Sequence, residues 1–445
     1  VVQDPAIAEV VTAQGIAEDV GAKGICLVTG DFEAIATLHP KISNVADKPT
    51  ALAAVNDQSL PALASYGKHQ GDNFPVGIAA AFKYATALNH LLRPNSPQKI
   101  AVGDATAVFW SASNDEDYSE AWLTDLISGG NPDAHVQQVK ALFEAVHVGV
   151  FDGARGENKF FVLGLAPNAA RITVRFWHAA PLREIAKEIA QWFHDLEIDG
   201  ASDRGEHPGV YRLLSNITMA TRERPQGDIS KLPPLVIGET FRAAFTGTPL
   251  PALLMQLALI RIRADQAKKD DSGKPVRHVS PIRAAILKAY LNRNQRIHPE
   301  KQKEITVSLD KDNSEPPYLW GRMFAVYERM QEQASDRELN RTIRDAYFGS
   351  AMSTPRSVYN RLVKLNQIHL RELKRSRPSA GEYFDRILLE ISGKMSASAA
   401  IAFPAQSTPE QQASFAIGYY HQRQDFFAKR DSTQVESASL IESTN

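Results

Sequence analysis

Two rhythms of apolar residues run through the first half of the chain. Short runs of strand length, such as Gly24 to Thr29, alternate with stretches in which apolar side chains return every three or four residues. Pro75 stands where a helix would begin, and Val76 to Leu92, rich in Ala and Leu, predicts a largely buried helix ending at Arg93-Pro94. Lys99 to Val102 and Thr106 to Trp110 flank Gly103-Asp104 and predict a hairpin or tight strand pair. Pro132 to Val148 predicts a further helix. Two β-rich runs, Phe160 to Leu165 and Arg171 to Trp177, enclose the turn-prone Pro167-Asn168 and predict an antiparallel hairpin. Strict alternation in its second strand sets Ile172, Val174 and Phe176 on one face and Arg171, Thr173, Arg175 and Trp177 on the other. Pro181 then opens an amphipathic helix through Ile198, with Ile185, Ile189, Trp192, Phe193 and Leu196 at helical spacing.

Beyond Pro225 to Pro234 the strand signals cease. Helical segments are predicted near Leu235 to Phe245, Pro251 to Lys268, Pro281 to Gln295, Leu319 to Gln333, Arg337 to Phe348, Pro355 to Arg375, Gly381 to Ile391 and Pro409 to Arg430, several of them opened by proline. Short links between helices of this length imply a bundle. The expected fold class is α+β: a mixed α/β N-terminal region with an antiparallel hairpin, followed by an all-α helical bundle. The expected domains are residues 1–226, an α+β domain, and 227–430, the bundle, with 431–445 a polar, Ser-rich, flexible tail.

Composition narrows the class. With 43% hydrophobic and 23% charged residues the chain sits in the globular range, and no run of about 18 apolar residues exists to span a bilayer, so no membrane role is expected. Cys26 is the only cysteine, which excludes an intramolecular disulfide framework and suits a cytoplasmic location; the residue reads as a small buried hydrophobe. The chain opens Val1-Val2-Gln3-Asp4 and its first methionine is Met219, so a further N-terminal segment is expected to precede it. A net charge of −1 conceals a split: residues 227–445 hold 32 Lys and Arg against 24 Asp and Glu, whereas 1–226 hold 18 against 27. Within the basic half, 261–303 carry twelve basic and four acidic side chains and 356–377 seven and one. Such clusters can track a phosphate backbone or simply be solvated helix faces.

Signatures of catalysis are sparse. The chain has no Gly-rich phosphate loop, no dinucleotide fingerprint, no His-Glu-x-x-His and no Gly-x-Ser-x-Gly, and neither metal nor cofactor is expected. His194-Asp195, with His178 and Asp199 nearby, is the one enzymatic candidate, an alternative reading as a metal-dependent HD-type phosphohydrolase or nuclease; a plain amphipathic helix also accounts for it. His39, His278 and His298 are expected to face solvent. Arg171 and Arg175 make a better candidate, since same-face residues four apart on a strand lie about 13 Å from one another and reach separate phosphates. Thr173 adds a hydrogen-bond donor and Trp177 a stacking surface; the competing reading is a solvated sheet face with Arg175 stacked on Trp177. In the loop Ser65 to Pro75, Gly67 and Gly71 let the backbone approach a partner, and Lys68, Gln70 and Asn73 offer donors for phosphates and base edges, though an ordinary loop has the same composition. The four aromatics of Gly418 to Phe427 read mainly as bundle core.

Several phrases together resemble the large subunit of the type I-C CRISPR Cascade: Ser65-Tyr66-Gly67, Pro75 with its Ala-rich helix, Val108-Phe109-Trp110, Phe161 through Arg171, Val174-Arg175-Phe176, Leu232-Pro233-Pro234 and Gly418-Tyr419-Tyr420-His421-Gln422-Arg423. The resemblance implies a subunit without catalytic activity of its own. Its partners would be the guide RNA, target double-stranded DNA and its displaced strand, the backbone, handle-binding and small subunits, and a recruited helicase-nuclease. Such a subunit would help recognise the protospacer-adjacent motif and stabilise the R-loop, with Arg261, Arg263, Lys268, Lys269, Arg283 and Lys288 as candidate contacts in the helical half.

Overall fold

A computed structural model describes residues 22–55, 67–102, 104–112, 157–168, 171–201, 208–220, 227–270, 272–299, 303–335, 341–395 and 403–427. The expected helix Pro132 to Val148, the dipeptide Ser65-Tyr66 and the tail lie outside them. The chain divides into two compact units, one taking in residues 1–130, 141–188 and 233–246 and the other 131–140, 189–232 and 247–445. In order, the elements are β1 (Lys23–Ile25), β2 (Phe32–Ala34), β3 (Lys41–Ile42), β4 (Thr50–Ala51), α1 (Ile78–Leu91), β5 (Lys99–Val102), β6 (Ala105–Ser111), β7 (Lys159–Asn168), β8 (Arg171–Pro181), α2 (Leu182–Leu196) and α3 (Val210–Asn216). They continue with α4 (Pro234–Thr246), α5 (Ala252–Asp265), α6 (Pro281–Ile297), α7 (Pro316–Ala334), α8 (Ile343–Ser353), α9 (Pro355–Ser376), α10 (Pro378–Lys394) and α11 (Pro409–Phe427). The fold class is α+β, small antiparallel sheets followed by a helical bundle, as the sequence pattern predicts.

The first unit is organised by the antiparallel meander β5-β6-β7-β8. Its hairpin Lys159–Asn168/Arg171–Pro181 extends the first predicted β-rich run mainly through Pro167-Asn168 at the turn end and the second at its outer end. One face presents Val108, Leu163, Leu165 and Ile172 to Ala85, Leu88, Leu91 and Leu92 at the C-terminal end of α1, where each large aliphatic side chain removed from water contributes about 1.5–3 kcal/mol. Phe176 pairs with Gly164 and therefore stands on the other face, where its ring meets Phe241 and Phe245 of α4 at 5.7 and 6.2 Å. Gly164 has to be glycine here, because a Cβ would fall 2.4 Å from the Phe176 ring. Thus α4, although it follows the change in sequence pattern, packs on the sheet. The expected strand at Gly24 ends at Ile25, and the next residues form a turn whose Val28 and Thr29 amides, together with the Gly77 amide ahead of α1, donate to Cys26 Sγ, buried as predicted.

In the second unit the local signals hold well. Pro281, Pro316, Pro355, Pro378 and Pro409 each open a helix, Ser280 caps α6 by accepting from the Arg283 amide, and Thr342 and Asp345 form a reciprocal capping box at α8. Helix α3 is an addition the sequence pattern did not show. The tightest contact in the bundle joins α7 and α11. A Cβ on Gly321 would lie 2.0 Å from the Phe415 carbonyl oxygen, and one on Gly418 would lie 2.1 Å from that of Tyr318, so the two backbones meet directly. Trp320, Phe324, Phe348, Phe415 and Tyr419 surround that crossing in edge-to-face contacts, which confirms Tyr419 and its neighbour Tyr420 as core. No helix among the described residues is long and apolar enough to cross a membrane.

Gly418→Ala is expected to destabilise the protein by about 1–3 kcal/mol, because the added methyl must separate two backbones. Gly393→Ala, where a Cβ meets nothing within 4 Å in the last turn of α10, is expected to be neutral or to stabilise by up to about 1 kcal/mol. Urea melts of both variants check the opposite signs.

Candidate nucleic-acid interface

The hairpin strand β8 carries the first candidate residues, and its geometry departs from strict alternation. Gly164 pairs with Phe176 but Leu165 pairs with Val174, which leaves Arg175 unpaired in a β-bulge. The extra residue reverses the faces beyond it. Arg171 and Thr173, opposite Asn168 and Ala166, share the face of Phe176, whereas Ile172 and Val174 share the face of Trp177. The single cationic face expected from alternation is therefore not formed, and Val174 is 47% exposed rather than core. Arg171 is exposed. Arg175 donates to Asp104 of the β5–β6 turn at 2.8 Å instead of stacking on Trp177. Trp177, 53% exposed, lies 5.7 Å from both Trp110 and Phe161, which stack on each other at 5.3 Å. Three aromatics on adjacent strands thus form a partly exposed platform, an arrangement on which bases can stack.

The second candidate is the loop before α1. Lys68 is exposed, while Gln70 and Asn73 are half-buried in a short 3-10 turn, with Asn73 Nδ2 donating to the Gln70 carbonyl at 3.1 Å. Gly71 is tied inward rather than open to a partner: its amide donates to Thr37 O at 3.1 Å, and a Cβ would meet Ala36 O at 2.1 Å. Gly67, at φ +67° with open space around it, is the glycine that leaves the backbone accessible.

Burial sorts the basic side chains of the helical half. Arg263, Lys268 and Lys269 are exposed. Arg261 is ion-paired with Asp265 and mostly covered. Arg283 is buried, bridging Asp265 at 2.7 Å, His278 O at 2.8 Å and Asn216 O at 3.0 Å. Lys288 is 3% exposed and donates to Asp195 O at 3.0 Å. Arg283 and Lys288 therefore do not belong to the accessible surface, contrary to the sequence-based expectation, because backbone carbonyls and a carboxylate already engage their charges.

Helix α9 supplies what residue counts alone did not resolve. Arg361, Lys364, Arg371 and Arg375 are exposed and recur at intervals of three, seven and four, which places them on one helical face together with exposed Ile368. They span about 21 Å at roughly 1.5 Å per residue. Arg361 lies over the Tyr347 ring at 5.5 Å and Arg375 pairs with Glu372 at 2.8 Å, whereas Lys364 and Arg371 have no ion-pair partner among the described residues. The signal was present in the spacing of the cluster at 356–377.

The enzymatic candidate dissolves into structure. His194 is exposed beside Glu197 at 3.4 Å, while its neighbour Asp195, one step round α2, is 2% exposed. The Asp195 carboxylate accepts from Arg293 Nε at 2.7 Å, from Arg296 at 2.6 and 2.8 Å and from Gln191 at 3.0 Å, so its oxygens are fully engaged. Among the described residues no group of three or more His, Cys, Asp or Glu is arranged to hold a metal ion. Two of the other histidines also differ from expectation. His278 is buried, and so is His39, which shares a 2.7 Å hydrogen bond with Tyr84 OH; His298 is exposed. Burial raises the Asp195 pKa, but the hydrogen bond from Arg296 and the charge of Arg293 outweigh it and hold the carboxyl below its usual value. A carboxyl depressed in the folded state stabilises above its unfolded pKa and loses that contribution as pH falls through the folded one. Asp195→Ala should then cost about 3–5 kcal/mol at pH 7 without any metal present, and the gap to wild type should narrow in urea melts as pH falls below about 4.

The whole described chain matches the family model for CRISPR-associated protein (Cas_Csd1) over residues 1–427. No curated protein matches it. The chain belongs to this CRISPR-associated family.

Proposed function

From that family membership we propose that the chain is the large, non-catalytic subunit of a type I-C Cascade, working in the cytoplasm. In this reading it binds guide RNA and target DNA, helps recognise the protospacer-adjacent motif, holds the displaced strand in the R-loop and offers a surface to the helicase-nuclease. Its neighbours would be the backbone, handle-binding and small subunits. The observation that carries the nucleic-acid part is the one-sided row Arg361, Lys364, Arg371 and Arg375 on α9, two of whose charges are uncompensated among the described residues. A row of about 21 Å is long enough to meet several phosphates of one strand.

Guide pairing would supply sequence specificity, leaving the protein to grip backbones that pairing has selected. Arg263, Lys268 and Lys269 extend the cationic surface of the helical half, 227–430, which we assign the role of a small-subunit-like domain. In the N-terminal domain, 1–226, the Trp110, Phe161 and Trp177 platform is the proposed stacking contact for a strand opened from the duplex, with Thr173 and exposed Arg171 on the opposite face and Arg175 in the bulge as further proposed contacts. Lys68, beside accessible Gly67, with Gln70 and Asn73, is the proposed contribution to motif recognition.

Replacing Arg361, Lys364 and Arg371 together by Glu in a reconstituted complex should weaken target DNA binding and lower the slope of log affinity against log salt by about 2–3, since each lost phosphate contact removes about 0.9. Filter binding across a salt series reads this slope. An unaltered slope in a correctly assembled complex would remove α9 from the interface.

A further inference from the structure

A pocket of about 270 Å³ lies within the second unit, and none of its lining residues is among those assigned above. Its walls include Arg277 and His278 from the segment before α6, Glu332 of α7, Arg344 of α8, and Tyr419 and Arg423 of α11. Arg277 is exposed and has no ion-pair partner among the described residues. Glu332, a carboxylate on the wall, is already held by Arg329 at 2.8 Å and Arg423 at 3.1 Å. Behind it Glu328 accepts from Tyr419 OH at 2.6 Å and from Arg423 at 2.9 Å, and Arg344 pairs with Asp345 at 3.1 Å.

His278 is the unusual element. It is 2% exposed, packs edge-on against Phe348 at 4.4 Å, and its Nε2 is buried without a hydrogen-bond partner. Burial, then the positive charges of Arg344, Arg423 and Arg283, push its pKa well below the ordinary imidazole value, so the ring is neutral. A neutral imidazole left with an unused nitrogen on a pocket wall is a group that a ligand can satisfy. The volume far exceeds the roughly 30 Å³ of one water and falls just below the lower end of small-molecule sites, about 300 Å³.

We propose that this pocket binds a nucleoside monophosphate unit, with its phosphate on Arg277, which no carboxylate engages among the described residues, and its base or sugar edge toward His278. Guanidinium groups match phosphate oxygens in a two-pronged geometry, and Tyr420, Gln424 and Phe427 complete a wall of mixed apolar and hydrogen-bonding character. A free mononucleotide and the 5′-phosphorylated end of a strand present the same chemistry to this site. The assignment rests on the pocket alone and does not depend on α9 being a nucleic-acid surface.

Isothermal titration of the full chain with adenosine monophosphate tests it. Saturable binding is expected, with adenosine weaker by at least about tenfold because it lacks the group that pairs with arginine. Arg277→Glu, at an exposed position, should leave the thermal melt unchanged and weaken adenosine monophosphate by at least about tenfold. His278→Phe should weaken adenosine monophosphate while leaving any binding of inorganic phosphate as it was. Competition by a 5′-phosphorylated trinucleotide but not its unphosphorylated form would identify a strand end as the occupant; no competition by either would identify a free nucleotide. No saturable binding of adenosine monophosphate at millimolar concentration, or equal binding by folded Arg277→Glu, would overturn the proposal.

Discussion

The direct backbone contact of α7 with α11 sets the terms for the second unit. Gly321 and Gly418 bring the two helices together within the aromatic cluster, and a polar seam runs beside it: Tyr318 OH shares a hydrogen bond with His421 Nδ1 at 2.9 Å, Arg322 donates to Gln422 at 3.0 Å, and Glu328 accepts from Tyr419 and Arg423. Buried charge is tolerated only where it is paired, and each member here has its partner on the facing helix. Burial, with the neighbouring Glu332 charge, drives the Glu328 pKa up, and the Arg423 and Tyr419 contacts oppose it. The seam fixes the register of the two helices, because sliding either by one turn would strand several charges at once.

The same requirement divides the many basic residues of the helical half into two populations. Arg283, Lys288, Arg293 and Arg322 face inward, where Asp265, Asp195, Glu390 and carbonyl oxygens neutralise or solvate them. Arg361, Lys364 and Arg371 face outward on a helix that carries little acidic charge. A polyanion can recruit only the second population. Charge counts along the chain therefore overstate the cationic surface at 261–303 and understate the value of 356–377.

In the first unit one inserted residue has a comparable effect. The bulge at Arg175 lets Phe176 cross to the α4 side of the sheet while Trp177 joins Trp110 and Phe161 on the other. Aromatic packing and the Arg175–Asp104 ion pair both depend on that half-turn, so the candidate contacts of β8 are distributed over two faces.

Local chemistry in the sequence was sufficient for the fold class and for most elements. Period-3.6 patterns, helix-opening prolines and the buried stripe of α2 depend on residues a few positions apart, and they survive folding because backbone geometry repeats them, whereas Pro167 and Asn168, expected in the turn, pair with Ile172 and Arg171 as the end of β7. Family membership was legible for a related reason, since phrases such as Gly418 to Arg423 encode the crossing and its seam in consecutive letters. Tertiary structure alone decided which cations reach solvent, where β8 changes face, that Asp195 is an ion-pair anchor rather than a ligand, and that His278 is enclosed beside a pocket. Each of these depends on groups far apart in the chain, such as Asp195 and Arg293 or Gly164 and Phe176, and burial is a property of the assembled neighbours rather than of the residue type.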